Sequence, residues 1–289
     1  MKKHLTFLTA IAASLILVAC GESNTTGTRK ASEPTPTSEV TTTKPTTPVA
    51  PTVAAASNPD YPTYLVGSEI NYEPFEFKQE NGMPTGFEVE LLQAIAEKAK
   101  FNVTFIHTPR KDLVDTLNNG KFVIWASAIS ITPERMEQMD FSQPFLDFSR
   151  EIYILDKPEN ANLKTAQDFK GKKIAVNGSS KSNVTTAQEL TGAPENVIAA
   201  NSFYLSLAEM YKGSADGTLG DSRILQYYQL KQKDIKTRVV PIGDKKKDLA
   251  FAVRKGNTQV LKQINDGLAA VKADGTYDKL LEKWFGQVK

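Results

Sequence analysis

The sequence predicts an α/β protein built as two small lobes. Two observations carry that expectation. The order strand, helix, strand, helix, strand runs once from Tyr64 and again from Lys173, at similar size, and strands alternating with helices build parallel sheets. Phe122-Val-Ile-Trp-Ala126 is apolar without alternation, which suits a strand covered on both faces.

The chain starts with Lys2 and Lys3, an apolar core over 5–18, and Leu17-Val-Ala-Cys20. A basic start before a short apolar region reads as an export signal. The ending resembles a lipobox, the site where bacterial lipoproteins are cleaved and acylated. The resemblance implies that Cys20 becomes a lipidated N-terminus, with the membrane as partner. Residues 21–60 hold 11 Thr, 6 Pro and 4 Ser among 40. So few apolar residues cannot form a core, and a disordered tether of roughly 35 Å is expected.

The globular pattern begins at Tyr61. Tyr64–Gly67 reads as a strand. Over 86–100, Phe87, Leu91, Ile95 and Ala99 form one helical stripe, with Glu88, Glu90, Glu97 and Lys98 off it. Asn102–His107 reads as a strand, and Lys111–Asn119 as a short helix stopped by Gly120. The apolar strand runs from Phe122 to Ile129. Thr132 is then an N-cap, Pro133 suits the first helical position, and Arg135 falls in the first turn. In the second half, strands are expected at 173–176, 196–200, 216–220 and 237–241. Helices are expected up to Leu190, over 203–212 and over 223–231. Phe148–Asp156 and Lys245–Arg254 are the crossing segments, Lys245-Lys-Lys247 marking a solvated one. Gln259–Lys272 and Thr276–Phe285 are amphipathic helices. The expected lobes are 61–147 plus 249–289, and 148–248.

Composition removes several functional classes. The formal charge of the 289 residues is +2, and from Tyr61 onward 30 Lys and Arg balance 29 Asp and Glu. That is not the footprint of a nucleic-acid binder. A single cysteine, Cys20, and two histidines, His4 and His107, leave no intrachain disulfide, no zinc cluster and no spare Ser-His-Asp set. No metal or cofactor is expected.

In an open parallel sheet, ligands bind beyond the C-terminal strand ends. Those positions hold Glu69 and Tyr72, then Arg110, then Ser127, Ala128, Ser130 and Arg135. In the second half they hold Ser179, Ser180 and Asp221. A guanidinium with backbone N–H donors makes a carboxylate seat. A lone carboxylate lies across from it. A ligand with both a carboxylate and an ammonium, the backbone of an α-amino acid, satisfies both. Blander readings stand beside these. Arg135 pairs with Glu134, Asp140 or solvent; Asp221, Ser179 and Ser180 cap helices; Tyr72 packs in a core. Phe75, Phe77 and Trp125 read as core, and His107 as an exposed or capped strand-end residue.

Several motifs, in one order from Tyr61 to the end, resemble the amino-acid-binding proteins of ABC importers, solute-binding protein family 3. They are Tyr72-Glu-Pro-Phe-Glu-Phe, Asn81-Gly with Gly86-Phe-Glu-Val-Glu, Ser130-Ile-Thr-Pro-Glu-Arg135, Asp140-Phe-Ser, Phe169-Lys-Gly-Lys-Lys173, Asp248-Leu-Ala-Phe-Ala-Val-Arg-Lys-Gly256, Asp274-Gly-Thr-Tyr277 and Glu282-Lys-Trp-Phe-Gly286. The resemblance implies a two-lobed periplasmic-binding-protein fold (type II), each lobe a βαβ-type sheet flanked by helices. It implies that Arg135 and the Ser130 and Ser180 backbone hold the α-carboxylate, that Asp221 takes the α-ammonium, and that Tyr72 packs on the side chain. Glu69 matches a position that often meets the distal end of polar ligands. Two departures stand out. Arg110 occupies a place where the family carries an aromatic residue, and Ala128 one where it carries Gly or Ser.

The expected function is therefore a lipid-anchored, monomeric, non-enzymatic receptor. It faces the periplasm or exterior and delivers a polar or charged amino acid to the transmembrane subunits of an ABC permease. The competing readings are a cyclohexadienyl-dehydratase-like enzyme on the same scaffold, with Glu69 as general acid, and a sensor or adhesin module.

Overall fold

The computed structural model describes residues 52–53, 58–109 and 113–286. The leader with Cys20, most of the tether, and Arg110 lie outside the described residues. The expected tether is not uniform, because β1 (Thr52–Val53) pairs antiparallel with the strand Asn102–His107, Thr52 opposite Phe105.

In chain order, β2 (Thr63–Ser68), β3 (Asn71–Tyr72), β4 (Glu76–Lys78) and β5 (Pro84–Thr85) precede α1 (Phe87–Ala99) and β6 (Asn102–His107). Next come α2 (Leu113–Asn118), β7 (Ile124–Trp125), α3 (Pro133–Met136), β8 (Met139–Phe141), β9 (Leu146–Phe148) and β10 (Arg150–Leu155). β11 (Ile174–Asn177), α4 (Lys181–Thr191), β12 (Val197–Ala200), α5 (Phe203–Tyr211), β13 (Gly217–Asp221), α6 (Ser222–Lys231) and β14 (Thr237–Pro241) follow. β15 (Lys247–Leu249), β16 (Ala252–Arg254), α7 (Thr258–Ala273) and α8 (Thr276–Phe285) complete the order.

Two main sheets result. The first has the order β1-β6-β2-β7-β16-β8 and the second β12-β11-β13-β10-β14. Within them β6, β2 and β7 are parallel, as are β12, β11 and β13. The returning strands β16 and β10 run antiparallel to them. The chain passes between the sheets twice, and the two crossings pair with each other as the β9–β15 ladder, Leu146 opposite Leu249. A charge cluster fastens them. Asp147 meets Arg223 of α6 at 2.6 Å and Lys246 at 2.8 Å.

Each sheet has its own apolar packing. Phe87, Leu91 and Ile95 of α1 are buried against Phe105, Phe251, Ile264 and Phe285. Ile152, Ile154, Ile174, Val176 and Leu219 form the second core. α6 follows the second sheet in sequence, yet Ile224 and Tyr227 join the first core, where the Tyr227 and Trp284 rings lie 6.2 Å apart.

One residue departs from the helical stripe. Glu88 falls on the polar side of α1 by sequence, yet it is fully buried. The entry of α1 explains it. Gly86, at φ +125°, sits so close to the preceding turn that a Cβ would lie 2.3 Å from the Phe75 carbonyl oxygen. The Phe87 and Glu88 N–H groups then donate to Pro74 and Phe75, both at 2.9 Å. With its entry pinned inward, the first turn carries Glu88 under the sheet.

Candidate functional site

A cleft of about 660 Å³ opens between the C-terminal ends of the two parallel strand sets. Glu69, Tyr72, Ala128 and Ser130 line it from the side of the first sheet, and Ser179, Ser180 and Asp221 from the side of the second. Seven of the predicted residues are thus brought together. Ser127 is not a wall residue. It is fully buried beneath, where its Oγ accepts from the Glu69 N–H at 3.2 Å and donates to Glu76 at 2.6 Å.

Arg135 follows the expected strand-to-helix entry. Thr132 caps α3, with its Oγ1 accepting from the Arg135 N–H at 3.3 Å. The guanidinium swings back to the strand end, where Nη1 donates to Ser130 O at 2.8 Å and Ser130 Oγ at 2.9 Å. It stands behind Ser130 rather than on the wall itself.

Opposite, Asp221 occupies the N-cap position of α6 but makes no side-chain cap bond. The Tyr72 hydroxyl donates to its Oδ2 at 3.2 Å, across the cleft. Burial pushes the Asp221 carboxyl up to about 6, against the hydrogen bond from Tyr72 and the charges of Lys247 and Arg150. A carboxylate in this state gains most from a cation placed beside it. Ser180 does cap α4, accepting from the Asn183 N–H at 3.4 Å. Its bland reading holds, while the same helix start faces the cleft. Ser179 is tied to Asn177, its Oγ donating to Oδ1 at 2.9 Å.

The remaining readings resolve as follows. Tyr72 stacks on Phe75 with ring centroids 5.6 Å apart, so it is both a wall residue and a packing residue. Phe75 and Trp125 are buried. His107 is an exposed strand-end residue whose Nδ1 donates to the Glu69 carbonyl at 2.6 Å.

Sequence reasoning missed two cations of the wall, Arg150 and Lys247. Arg150 stands opposite Asp221 in the β10–β13 ladder. It is locked by both Asp244 oxygens and donates to Thr186 Oγ1 at 2.5 Å. Its signal was alternation, since Arg150 shares a strand face with the buried Ile152 and Ile154. Lys247 belongs to the crossing that the sequence marks as solvated; it is exposed and also borders the cleft. Among the described residues no group of His, Cys, Asp and Glu is arranged to hold a metal ion, and no helix is long and apolar enough to cross a membrane.

Residues 64–287 match the bacterial extracellular solute-binding proteins, family 3. The chain belongs to that family. The amino-acid-binding protein AabA of Dichelobacter nodosus is 32% identical over 215 residues, 73% of this chain and 83% of that protein. Among solved structures, an ancestral cationic amino acid solute-binding protein (AncCDT-1) has a TM-score of 0.70 at 34% identity, covering 77% of this chain and 95% of that one. The L-cystine solute receptor of Neisseria gonorrhoeae, unliganded and open, has a TM-score of 0.65 at 28% identity, covering 79% of this chain and 94% of its own. The architecture is accordingly the two-lobed type II fold of family 3 binding proteins, with a mixed sheet in each half.

Proposed function

We propose that this protein captures a polar or charged amino acid between its lobes and hands it to the transmembrane subunits of an ABC permease. One observation carries the reading: Ser130, backed by the Arg135 guanidinium, and Asp221 face one cleft from opposite sides. The ligand carboxylate is held by Arg135 with the Ser130 and Ser180 backbone, and the ammonium by Asp221. Tyr72 packs on the side chain, and Glu69 stands near its distal end. The lobes are 61–147 plus 249–289, and 148–248, hinged at the β9–β15 ladder. A ligand that touches both draws them together. Relatives named for arginine, histidine and cystine support a polar or charged ligand. The protein is a monomer held to a bacterial membrane by acylated Cys20, with residues 21–60 as a spacer, facing the periplasm or exterior.

Isothermal titration with the twenty standard amino acids and L-cystine tests the receptor reading. At least one is expected to bind at about 10 μM or tighter, and none binding better than about 1 mM overturns it. Cys20→Ser tests the anchor separately, since the variant is expected in the soluble fraction and the parent protein in the membrane fraction. Purified protein incubated with prephenate or L-arogenate is expected to release no product.

A further inference from the structure

Beneath the cleft floor lie two fully buried carboxylates, Glu76 and Glu88. They hold consecutive residues of the segment that becomes the wall. Glu76 accepts from Ser127, as described, and Glu88 Oε2 accepts from the Ala128 N–H at 2.6 Å. Ala128 has φ +44°, in the left-handed region. A residue with a Cβ adopts that conformation only when its surroundings impose it. Two residues on, Ser130 presents the oxygens that seat Arg135. Glu88 itself is rigidly placed, because its own N–H is bound to Phe75 O at 2.9 Å. A buried carboxylate is a poor device for stability alone, since an apolar residue of similar size carries no desolvation cost. What a carboxylate adds here is a strong, directed acceptor for one N–H.

We propose that Glu88 is a positioning residue of the ligand site. It holds Ala128 in the left-handed conformation and so fixes where Ser130 and Arg135 meet the ligand carboxylate. Removing the acceptor lets Ala128 relax toward an ordinary backbone conformation, which redirects the wall after it. The inference rests on the reading of the cleft as an amino-acid site.

The test is titration of the full-length protein with the twenty standard amino acids and L-cystine, following the tightest binder. Glu88→Leu is expected to weaken it by about tenfold or more, the worth of a charge-assisted hydrogen bond. Glu88→Gln keeps an acceptor in place and is expected to retain most of the affinity that the leucine variant loses. Adding Ala128→Gly to Glu88→Leu is expected to restore most of the loss, because glycine takes φ +44° without a Cβ penalty. A merely structural Glu88 would lower the melting temperature with no recovery of affinity from glycine. Ala128→Val, with Glu88 intact, is a second arm, expected to weaken binding severalfold because a β-branched residue resists φ +44°. Wild-type affinity in Glu88→Leu, or no rescue by glycine, overturns the inference. If Glu88→Leu does not fold, wild-type affinity in Ala128→Val overturns it. If the parent protein binds none of these compounds, the receptor reading falls, and this inference with it.

Discussion

Asp221 stands where a helix cap belongs, yet its carboxylate is spent on Tyr72 and on the cleft. Its ordinary value in an unfolded chain is about 3.9, and burial has moved it to about 6. A carboxyl raised in the folded state contributes stability that is fully present below about pH 4 and lost as pH rises through about 6. The unliganded protein is therefore expected to lose this contribution between those values, and Asp221→Asn to lack that step in urea denaturation series. Ligand binding has the opposite sign. An ammonium needs the ionised form, so affinity is expected to fall as pH drops below about 6, by up to about tenfold per unit. Arg135 gives the complementary prediction. Arg135→Ala is expected to weaken binding by about 100-fold or more while costing the unliganded protein about 1 kcal/mol or less, since it removes hydrogen bonds at a half-exposed position. Calorimetric titration and thermal melting check the two halves. The places of Asp221 and Arg135 were legible from residue type and strand-end position. Glu88 was not, because helical periodicity placed it on the outer side of α1 and only the docking of that helix turned it inward.

At the scale of elements, the entry of α1 and the double crossing position the site. Gly86→Ala would set a Cβ 2.3 Å from the Phe75 carbonyl, at φ +125°. Backbone cannot yield as a side-chain tip does, so a loss of about 3 kcal/mol in denaturant unfolding is expected, with weakened binding as Ala128 loses its partner. The crossings depend on Asp147, whose carboxyl is held below its ordinary range first by the hydrogen bond from Lys246 and, with it, by Arg223. Asp147→Ala is expected to cost about 1 kcal/mol near neutral pH, a deficit that shrinks as pH falls below about 4 and the parent protein loses the same contacts. The long helices and most of the parallel strands were readable to within a few residues, because apolar periodicity fixes them locally. The short strands β3, β4, β5 and β8 were not foreseen, and the strand expected over 122–129 is a strand only at Ile124–Trp125. Two further features depend on remote partners. β1 lies inside a Thr- and Pro-rich stretch whose composition speaks for coil, and its pairing depends on a neighbour 51 residues away, Val53 opposite Thr104. Asp244, which fastens Arg150, is still more remote in sequence from its partner, 94 residues away.

For the whole molecule, the cleft is a property of two sheets that hold separate cores. Joining them are the β9–β15 ladder, the Tyr72–Asp221 bond and the packing of Tyr227 on Trp284, with the Tyr227 hydroxyl donating to Glu73. α6 carries Asp221 at its N-cap and Tyr227 within the same helix, so the cleft carboxyl and that packing belong to one rigid element. Ligand at 100 times its dissociation constant is expected to raise unfolding stability by about 2.7 kcal/mol, and small-angle scattering to show a more compact particle. The Arg135→Ala variant is expected to gain about 0.4 kcal/mol or less at the same concentration, with at most about half of the compaction.

The amino-acid sequence by itself determined the order of the main elements, the two-lobed α/β architecture and the family, because periodicity, caps and short motifs are local and survive without knowledge of neighbours. It also pointed to Asp221 and Ser130, which line the cleft, and to Arg135, which stands behind Ser130. Only the tertiary structure decided that Arg135 donates to Ser130, that Arg150 and Lys247 join the wall, and that a buried Glu88 accepts from the Ala128 N–H. Each of these depends on which surfaces meet when helices dock and strands pair, and that contact free energy belongs to the assembled fold rather than to any single stretch of chain.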